Sequence, residues 1–285
     1  MRIGVVCTMN QARSPFAEIV LASNFPQHEF YSSGVEAIFG TPVMESVIAT
    51  AKEWGMSSPK KSSTTIFNDE NRILNSELVL VSENDQKEAI SQLGFLNQLR
   101  SFSEVFEDQD FTPKDPEGLA FDSIKRELGK VAAVSIRAVL DLEGFKTQNP
   151  IIAVIPHGVS DLGMALAHAQ LERVSRGAIL IDGDIRAPHD EEISSAGLEK
   201  VFFDIQNLGA TDFSQITSKQ ILSHVREVDF PEKFFVKPLW RNFLIRASEI
   251  APVVVVTAPR HSHLRKLADS YLASYMADEY SVISC

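Results

Sequence analysis

The sequence predicts an α/β protein made of two tandem three-layer α/β/α domains with parallel sheets, and three observations predict it. Short continuous apolar runs alternate with segments of helical period, the pattern of strands buried on both faces of a parallel sheet. At 285 residues the chain exceeds one ordinary domain, and an apolar content of 44% can supply each half with a core. The alternation also begins afresh after residue 150.

In the first half, Ile3–Val6 reads as a strand ending at Cys7, followed by a helix from Ser14 to Ala22 with Pro15 in its first turn. Phe30–Val35 is a second strand. Val43, Val47, Ile48, Ala51 and Trp54 recur at helical intervals over Pro42–Trp54 before Gly55 ends the segment. Leu78–Val81 is a buried strand and Glu83–Leu93 a helix. Gly118–Leu142 is a long helix with Phe121, Ile124, Leu128, Val131, Val134 and Ile136 on its apolar side.

Glu143–Pro150 is polar and bracketed by Gly144 and Pro150, which makes it the linker and places the domains at 1–148 and 149–285. Beyond it, Ile151–Pro156 echoes Arg2–Cys7, Leu162–Ala167 falls where Arg13–Glu18 fell, and Val253–Thr257 echoes Leu78–Ser82. An internal duplication is the expectation. Pro156 replaces Cys7, while Leu162 and Gly163 replace Arg13 and Ser14, so the second copy is expected to be a silent repeat packed against the first. Its longer, Phe-rich stretch His224–Ile245, with Trp240, reads first as a packing insertion. His157-Gly158 suggests at most a weak anion site. His261-Ser262-His263 lies among basic residues and is not read as a metal pair.

The charge balance, 27 basic against 38 acidic residues for a net −11, argues against nucleic acid or anionic membrane as a partner. The two cysteines, Cys7 and Cys285, form neither a disulfide framework nor a zinc site. With no apolar run near the ~18 residues of a membrane span, a cytoplasmic protein without metal or cofactor is expected.

The chemistry concentrates at Cys7-Thr8-Met9-Asn10-Gln11-Ala12-Arg13-Ser14, set between a strand end and a helix start. Cleaving a phosphate ester with a thiol requires a sulfur anion, donors for three oxygens and a matching cation. A helix N-terminus offers unpaired N–H groups and partial positive charge, which bind phosphate and favour the thiolate of Cys7. Arg13 can present a planar fork to two oxygens, and Ser14 can donate its hydroxyl to the sulfur. An acid for the leaving oxygen is also needed, and Asp115, in the turn-rich loop before the long helix, is the leading candidate; Asp108, Asp110 and Asp122 compete.

Val6-Cys7, Asn10, Arg13 through Glu18, Ser32-Ser33-Gly34, and Asp115-Pro116 with Gly118 and Phe121 occur in the order of the low-molecular-weight protein-tyrosine-phosphatase family, which residues 1 to 142 resemble. The resemblance implies a four-stranded parallel sheet in each domain, with Cys7 as nucleophile, Arg13 as phosphate clamp and Asp115 as proton donor. It implies that Thr8, Met9, Asn10, Gln11, Ala12, Arg13 and Ser14 wrap the phosphate, that Asn10 shapes the loop, and that Ser33 braces it from beneath. Ile38 and Phe39 are candidates for the wall that meets the substrate. Met9 replaces the family's usual Gly, and Ala12 replaces a frequent second Cys, which removes a thiol that could protect an oxidised Cys7.

The expected activity is therefore hydrolysis of a phosphomonoester, protein phosphotyrosine first, through a phosphocysteine. A phosphorylated protein or a small aryl phosphate would be the partner. Two alternatives stand beside it: an arsenate reductase dependent on an external small thiol, and a non-catalytic phosphate- or phosphoprotein-binding regulatory module.

Overall fold

The computed structural model describes residues 1–57, 60–105, 113–156, 162–183, 198, 201–202, 211–216, 221–222, 233, 235–257 and 279–283. The chain divides into two compact units, Met1–Gly144 and Phe145–Cys285. The division falls inside the polar segment 143–150, where Gly144 ends a helix in the left-handed conformation at φ 63°.

The first unit holds β1 (Arg2–Cys7), α1 (Arg13–Asn24), β2 (Glu29–Gly34), α2 (Glu45–Glu53), α3 (Glu70–Leu74) and β3 (Leu78–Val81). It continues with α4 (Gln86–Gln92), β4 (Gln98–Ser101), α5 (Phe102–Val105) and α6 (Phe121–Glu143). Its sheet is parallel in the order β2-β1-β3-β4, so β1 lies inside the sheet and delivers Cys7 to the carboxyl edge. Alternation along the strands divides the core between the two faces. Val6, Tyr31, Val79 and Val81 cluster with Ile73 of α3 and Ile90 of α4. Elsewhere α1 packs against α6, and Phe16 meets Trp54 edge-on at 5.5 Å.

Several boundaries differ from the pattern for identifiable reasons. The helix expected from Pro42 starts at Glu45, because Pro42 is held in an antiparallel bridge with Ser62. The helix expected from Glu83 starts at Gln86, whose side-chain carbonyl accepts from the Ser82 and Glu83 N–H groups and keeps them in a turn. Gly118, at φ 76°, cannot continue a right-handed helix, so α6 starts at Phe121 rather than at Gly118.

The second unit contains β5 (Ile151–Pro156), α7 (Leu162–Arg176), β6 (Ile179–Asp182), β7 (Ile221–Leu222), α8 (Pro238–Ile250), β8 (Val254–Thr257) and β9 (Glu279–Ile283). Its sheet is parallel but five-stranded, in the order β7-β6-β8-β5-β9. The expectation of a second four-stranded copy is corrected here. In the first sheet, β1 pairs directly with β2, the next strand in the chain; in the second, β5 pairs with β8 and β9 and is separated from β6 by β8. What the sequence echo records is a shared rhythm of strand and helix. The Phe-rich stretch supplies core: Trp240 and Phe243 are fully buried and pack with Phe202, while Phe235 meets Trp240 at 5.0 Å. His157, Gly158, His261, Ser262, His263, Asp108, Asp110 and Cys285 lie outside the described residues. Among the described residues no helix is long and apolar enough to cross a membrane.

Candidate active site

β1 ends at Cys7 and α1 begins at Arg13, leaving residues 8–12 to turn over the carboxyl edge of the sheet. Two backbone bonds to the segment after β2 anchor this loop: Val35 N–H donates to the Cys7 carbonyl and Glu36 N–H to the Thr8 carbonyl, each at 3.0 Å. Asn10 takes the left-handed conformation at φ 53°, which asparagine tolerates better than most residues. Its buried side chain holds that turn from below: Nδ2 donates to Ser14 Oγ at 2.9 Å and to Ser32 Oγ at 3.0 Å, while Oδ1 accepts from Thr64 N–H at 2.8 Å. Met9 does not need a positive φ, and it stands over a third exposed at the mouth of the site.

Cys7 is 3% exposed, with Sγ 3.0 Å from Ser14 Oγ and 3.3 Å from the Asn10 N–H, which donates to it. Ser14 has one hydroxyl hydrogen and two acceptors in reach, Cys7 Sγ and the Ser33 carbonyl at 3.3 Å. With sulfur as an anion the charge-assisted bond is the stronger choice, so the hydrogen belongs on the sulfur side. At the N-cap of α1, Ala12 brings no side-chain cap, and the first-turn N–H groups face the loop without one.

The Arg13 guanidinium is buried, and Nη1 pairs with Glu83 while Nη2 pairs with Asp115 Oδ2 at 3.1 Å. Glu83 follows β3, in the turn pinned by Gln86, which also donates to Thr8 Oγ1 at 3.2 Å. The exposed Asp115 is fixed by a local turn, its Oδ1 accepting from Glu117 N–H at 3.0 Å. Cys7, Arg13 and Asp115 share one cavity of about 120 Å³, completed by Met9, Gln11, Ala12, Met44 and Glu117. A sulfur at the floor with the Asn10 amide on it, a helix N-terminus beside it and a guanidinium at the wall suit a tetrahedral oxyanion.

The structure thus brings together the loop residues 7–14 and Asp115. It does not bring Ile38 and Phe39 to the cavity: both are 68% exposed and neither lines it. The Ser33 hydroxyl donates to Asp69 Oδ2 at 2.6 Å rather than to the loop, so Ser33 braces Ser14 through its carbonyl and Ser32 supplies the hydroxyl that meets Asn10. Asp122 sits in the first turn of α6 and does not line the cavity. Glu83, Gln86, Met44 and Glu117 escape a sequence reading, although Glu83, two residues past a buried strand that neighbours β1, had the position to be suspected. Among the described residues no group of three or more His, Cys, Asp or Glu side chains gathers as a metal site.

Behind the loop lies a second polar layer. Ser32 Oγ donates to Glu18 Oε2 at 2.6 Å, and Glu18 lies 3.8 Å from the Lys60 ammonium, with each side chain little exposed. Burial pushes the Glu18 carboxyl up and the Lys60 ammonium down from their ordinary values, each partner offsetting only part of the other's desolvation.

Fold and site together define a parallel α/β domain with a cysteine and an arginine lining one cavity at a helix N-terminus. Residues 2–135 match the family model described as low molecular weight phosphotyrosine protein phosphatase, and the N-terminal half of the chain is a phosphatase domain of that family. No curated protein matches the sequence. Solved structures similar to this chain include a low molecular weight protein tyrosine phosphatase from T. tengcongensis, at 23% identity over 50% of this chain and 99% of that one, TM-score 0.45. The YwlE arginine phosphatase from Geobacillus stearothermophilus shares 23% identity over 50% and 93% of the two chains, TM-score 0.44. The tyrosine phosphatase Wzb from Escherichia coli K30, in complex with sulphate, shares 24% over 50% and 97%, TM-score 0.43.

Proposed function

We propose that the N-terminal unit hydrolyses a phosphomonoester through a covalent phosphocysteine. The observation that carries this reading is the convergence of Cys7 Sγ, the first turn of α1, Arg13 and Asp115 on one cavity. The substrate's phosphoryl oxygens would take the amides of residues 8–14 and the Arg13 fork. The Cys7 thiolate attacks phosphorus, forming the S–P bond as the P–O bond to the leaving group breaks, and Asp115 gives its proton to the departing oxygen. Asp115, now a carboxylate, takes a proton from water, the water oxygen attacks phosphorus, and Cys7 leaves as thiolate with inorganic phosphate as product.

Phosphotyrosine is the first substrate class proposed. The mouth of the cavity supports a second as well, because Gln11 and Glu117 stand among its lining. A phosphoramidate on a flexible cationic carrier, such as phosphoarginine, would match the Glu117 carboxylate and the Gln11 amide; there the P–N bond breaks as the S–P bond forms, and the Asp115 proton goes to the departing nitrogen. Turnover of an aryl phosphate by the intact protein, by Cys7→Ser and by Asp115→Asn tests the chemistry. Cys7→Ser should be inactive and Asp115→Asn slowed about 10²–10⁴-fold, the usual worth of a general acid; normal turnover by Cys7→Ser refutes the mechanism. Parallel kcat/KM values on phosphotyrosine and phosphoarginine peptides decide between the carriers.

A further inference from the structure

The catalytic reading above uses nothing behind the phosphate loop, yet a little-exposed ammonium is placed there. Lys60 Nζ donates to the Ser32 carbonyl at 2.7 Å and to Thr64 Oγ1 at 3.1 Å. These two residues also grip Asn10 from opposite sides, Ser32 Oγ accepting from its Nδ2 and Thr64 N–H donating to its Oδ1. Asn10 is the non-glycine residue of the described chain with positive φ, the corner on which the loop turns, and its N–H points at Cys7 Sγ. One cation therefore ties together β2 and the segment at 60–64, the two pieces of backbone between which that corner is held.

We propose that Lys60 is a positioning residue for the phosphate loop: by joining Ser32 to Thr64 it fixes the Asn10 corner, and with it the donors that face Cys7. The inference rests on the phosphatase reading of the same site. Lysine suits the task because its N–H donors can serve a carbonyl and a hydroxyl at once while its charge faces the Glu18 carboxylate at 3.8 Å, and the four-carbon stem reaches inward from a surface segment. The charged groups that face this layer are Glu18 from α1, Asp69 and Arg72 at α3, and beyond the loop Arg13, Glu83 and Asp115 around the sulfur. Glu18 and Lys60 largely cancel at long range, so the distinctive part of Lys60 is its hold on Ser32 and Thr64.

The experiment compares Lys60→Met, Lys60→Arg and the double variant Lys60→Met with Glu18→Gln, all in a Cys285→Ser background so that alkylation by iodoacetate reports Cys7 alone. Lys60→Met should move the pH profile of alkylation upward, because the Asn10 N–H that faces the sulfur is no longer held, and lower kcat/KM for an aryl phosphate by about tenfold. Lys60→Arg should recover much of both. If Lys60 only neutralises Glu18, the double variant will alkylate and turn over like the parent, and the proposal falls. It falls equally if Lys60→Met is indistinguishable from the parent. If the double variant folds with a normal melting curve yet keeps the shifted alkylation profile, the positioning role stands. A parent that alkylates at low pH but hydrolyses no phosphate would overturn the phosphatase reading and leave the alkylation arm to judge Lys60.

Discussion

Replacing Gly34 by alanine would test the phosphate loop from outside. Gly34 closes β2 in register with Cys7, and a Cβ built on it would lie 2.6 Å from the Thr8 carbonyl oxygen, 2.8 Å from Ala37 Cβ and 2.9 Å from the Asn10 nitrogen. Ordinary contact begins near 3.4 Å, so the loop or the strand must yield by up to about 0.8 Å, the difference from 2.6 Å. The strand cannot yield easily, because Gly34 N–H donates to the Thr64 carbonyl at 2.9 Å and its own carbonyl accepts from Ile66 N–H at 3.1 Å. The loop moves instead, carrying the Asn10 N–H away from sulfur. Misplacement approaching 1 Å costs on the order of 10²-fold in a positioned reaction, and overpacking destabilises by about 1–3 kcal/mol. Gly34→Ala should therefore lose about two orders of magnitude in kcat/KM for an aryl phosphate and bind vanadate correspondingly more weakly, while remaining folded by circular dichroism. A folded Gly34→Ala variant with parental kcat/KM and vanadate affinity would refute the account of the loop.

Glu83→Gln keeps a hydrogen-bond acceptor beside Arg13 but removes the charge, and kcat/KM should drop about tenfold, the weight of one charge-assisted bond after discounting for the exposure of Glu83. The Tyr31 hydroxyl, buried against Ser76, is pushed up to about 12. Because that lies above the ordinary value near 10, its share of stability is whole below pH ~10 and disappears as the pH climbs through about 12, up to about 3 kcal/mol in all; chemical denaturation at stepped pH should show this loss, and Tyr31→Phe should blunt it. With alanine at position 12, peroxide-treated Cys7 should pass beyond sulfenic acid, so dithiothreitol should restore less activity than in an Ala12→Cys variant, both measured in a Cys285→Ser background.

How much of this was legible follows from how each feature is encoded. The strands through Ile3–Val6 and Leu78–Val81 are continuous apolar runs because they are buried on both faces, and the chemistry of residues 7–14 is local, so one segment of sequence displays it. β4 is Gln98-Leu99-Arg100-Ser101, an edge strand whose first three residues are not buried, and an edge need not be apolar. Glu83 meets Arg13 across 70 residues and Lys60 meets Ser32 across 28, and nothing short of the sheet order brings them together. Ile38 and Phe39 were candidates for the substrate wall under the family resemblance, whereas both stand exposed and the cavity is finished by Met44 and Glu117. In the second unit the rhythm of strand and helix was visible, but rhythm does not say on which side a new strand adds, and the order of the five strands differs for that reason.

The two carboxylates on Arg13 are held unequally, and the proposed reaction depends on that inequality. Glu83 stands in a turn whose N–H groups are tied to Gln86, itself tied to Thr8, so the partner of Nη1 is part of the scaffold. Asp115 stands on an exposed loop, restrained by the bond from Glu117 N–H. An arriving phosphate dianion competes for the same guanidinium fork and offers two oxygens in the plane that Asp115 approaches with one. It should therefore displace Asp115 and leave Glu83 in place. The displaced carboxyl is then free to face the leaving oxygen, which needs a proton. A structure with vanadate or phosphate over Cys7 should show Arg13 Nη2 on the oxyanion, Nη1 still on Glu83, and Asp115 turned toward the leaving-group side. Asp115 still bound to Arg13 in that complex would mean that another group supplies the proton.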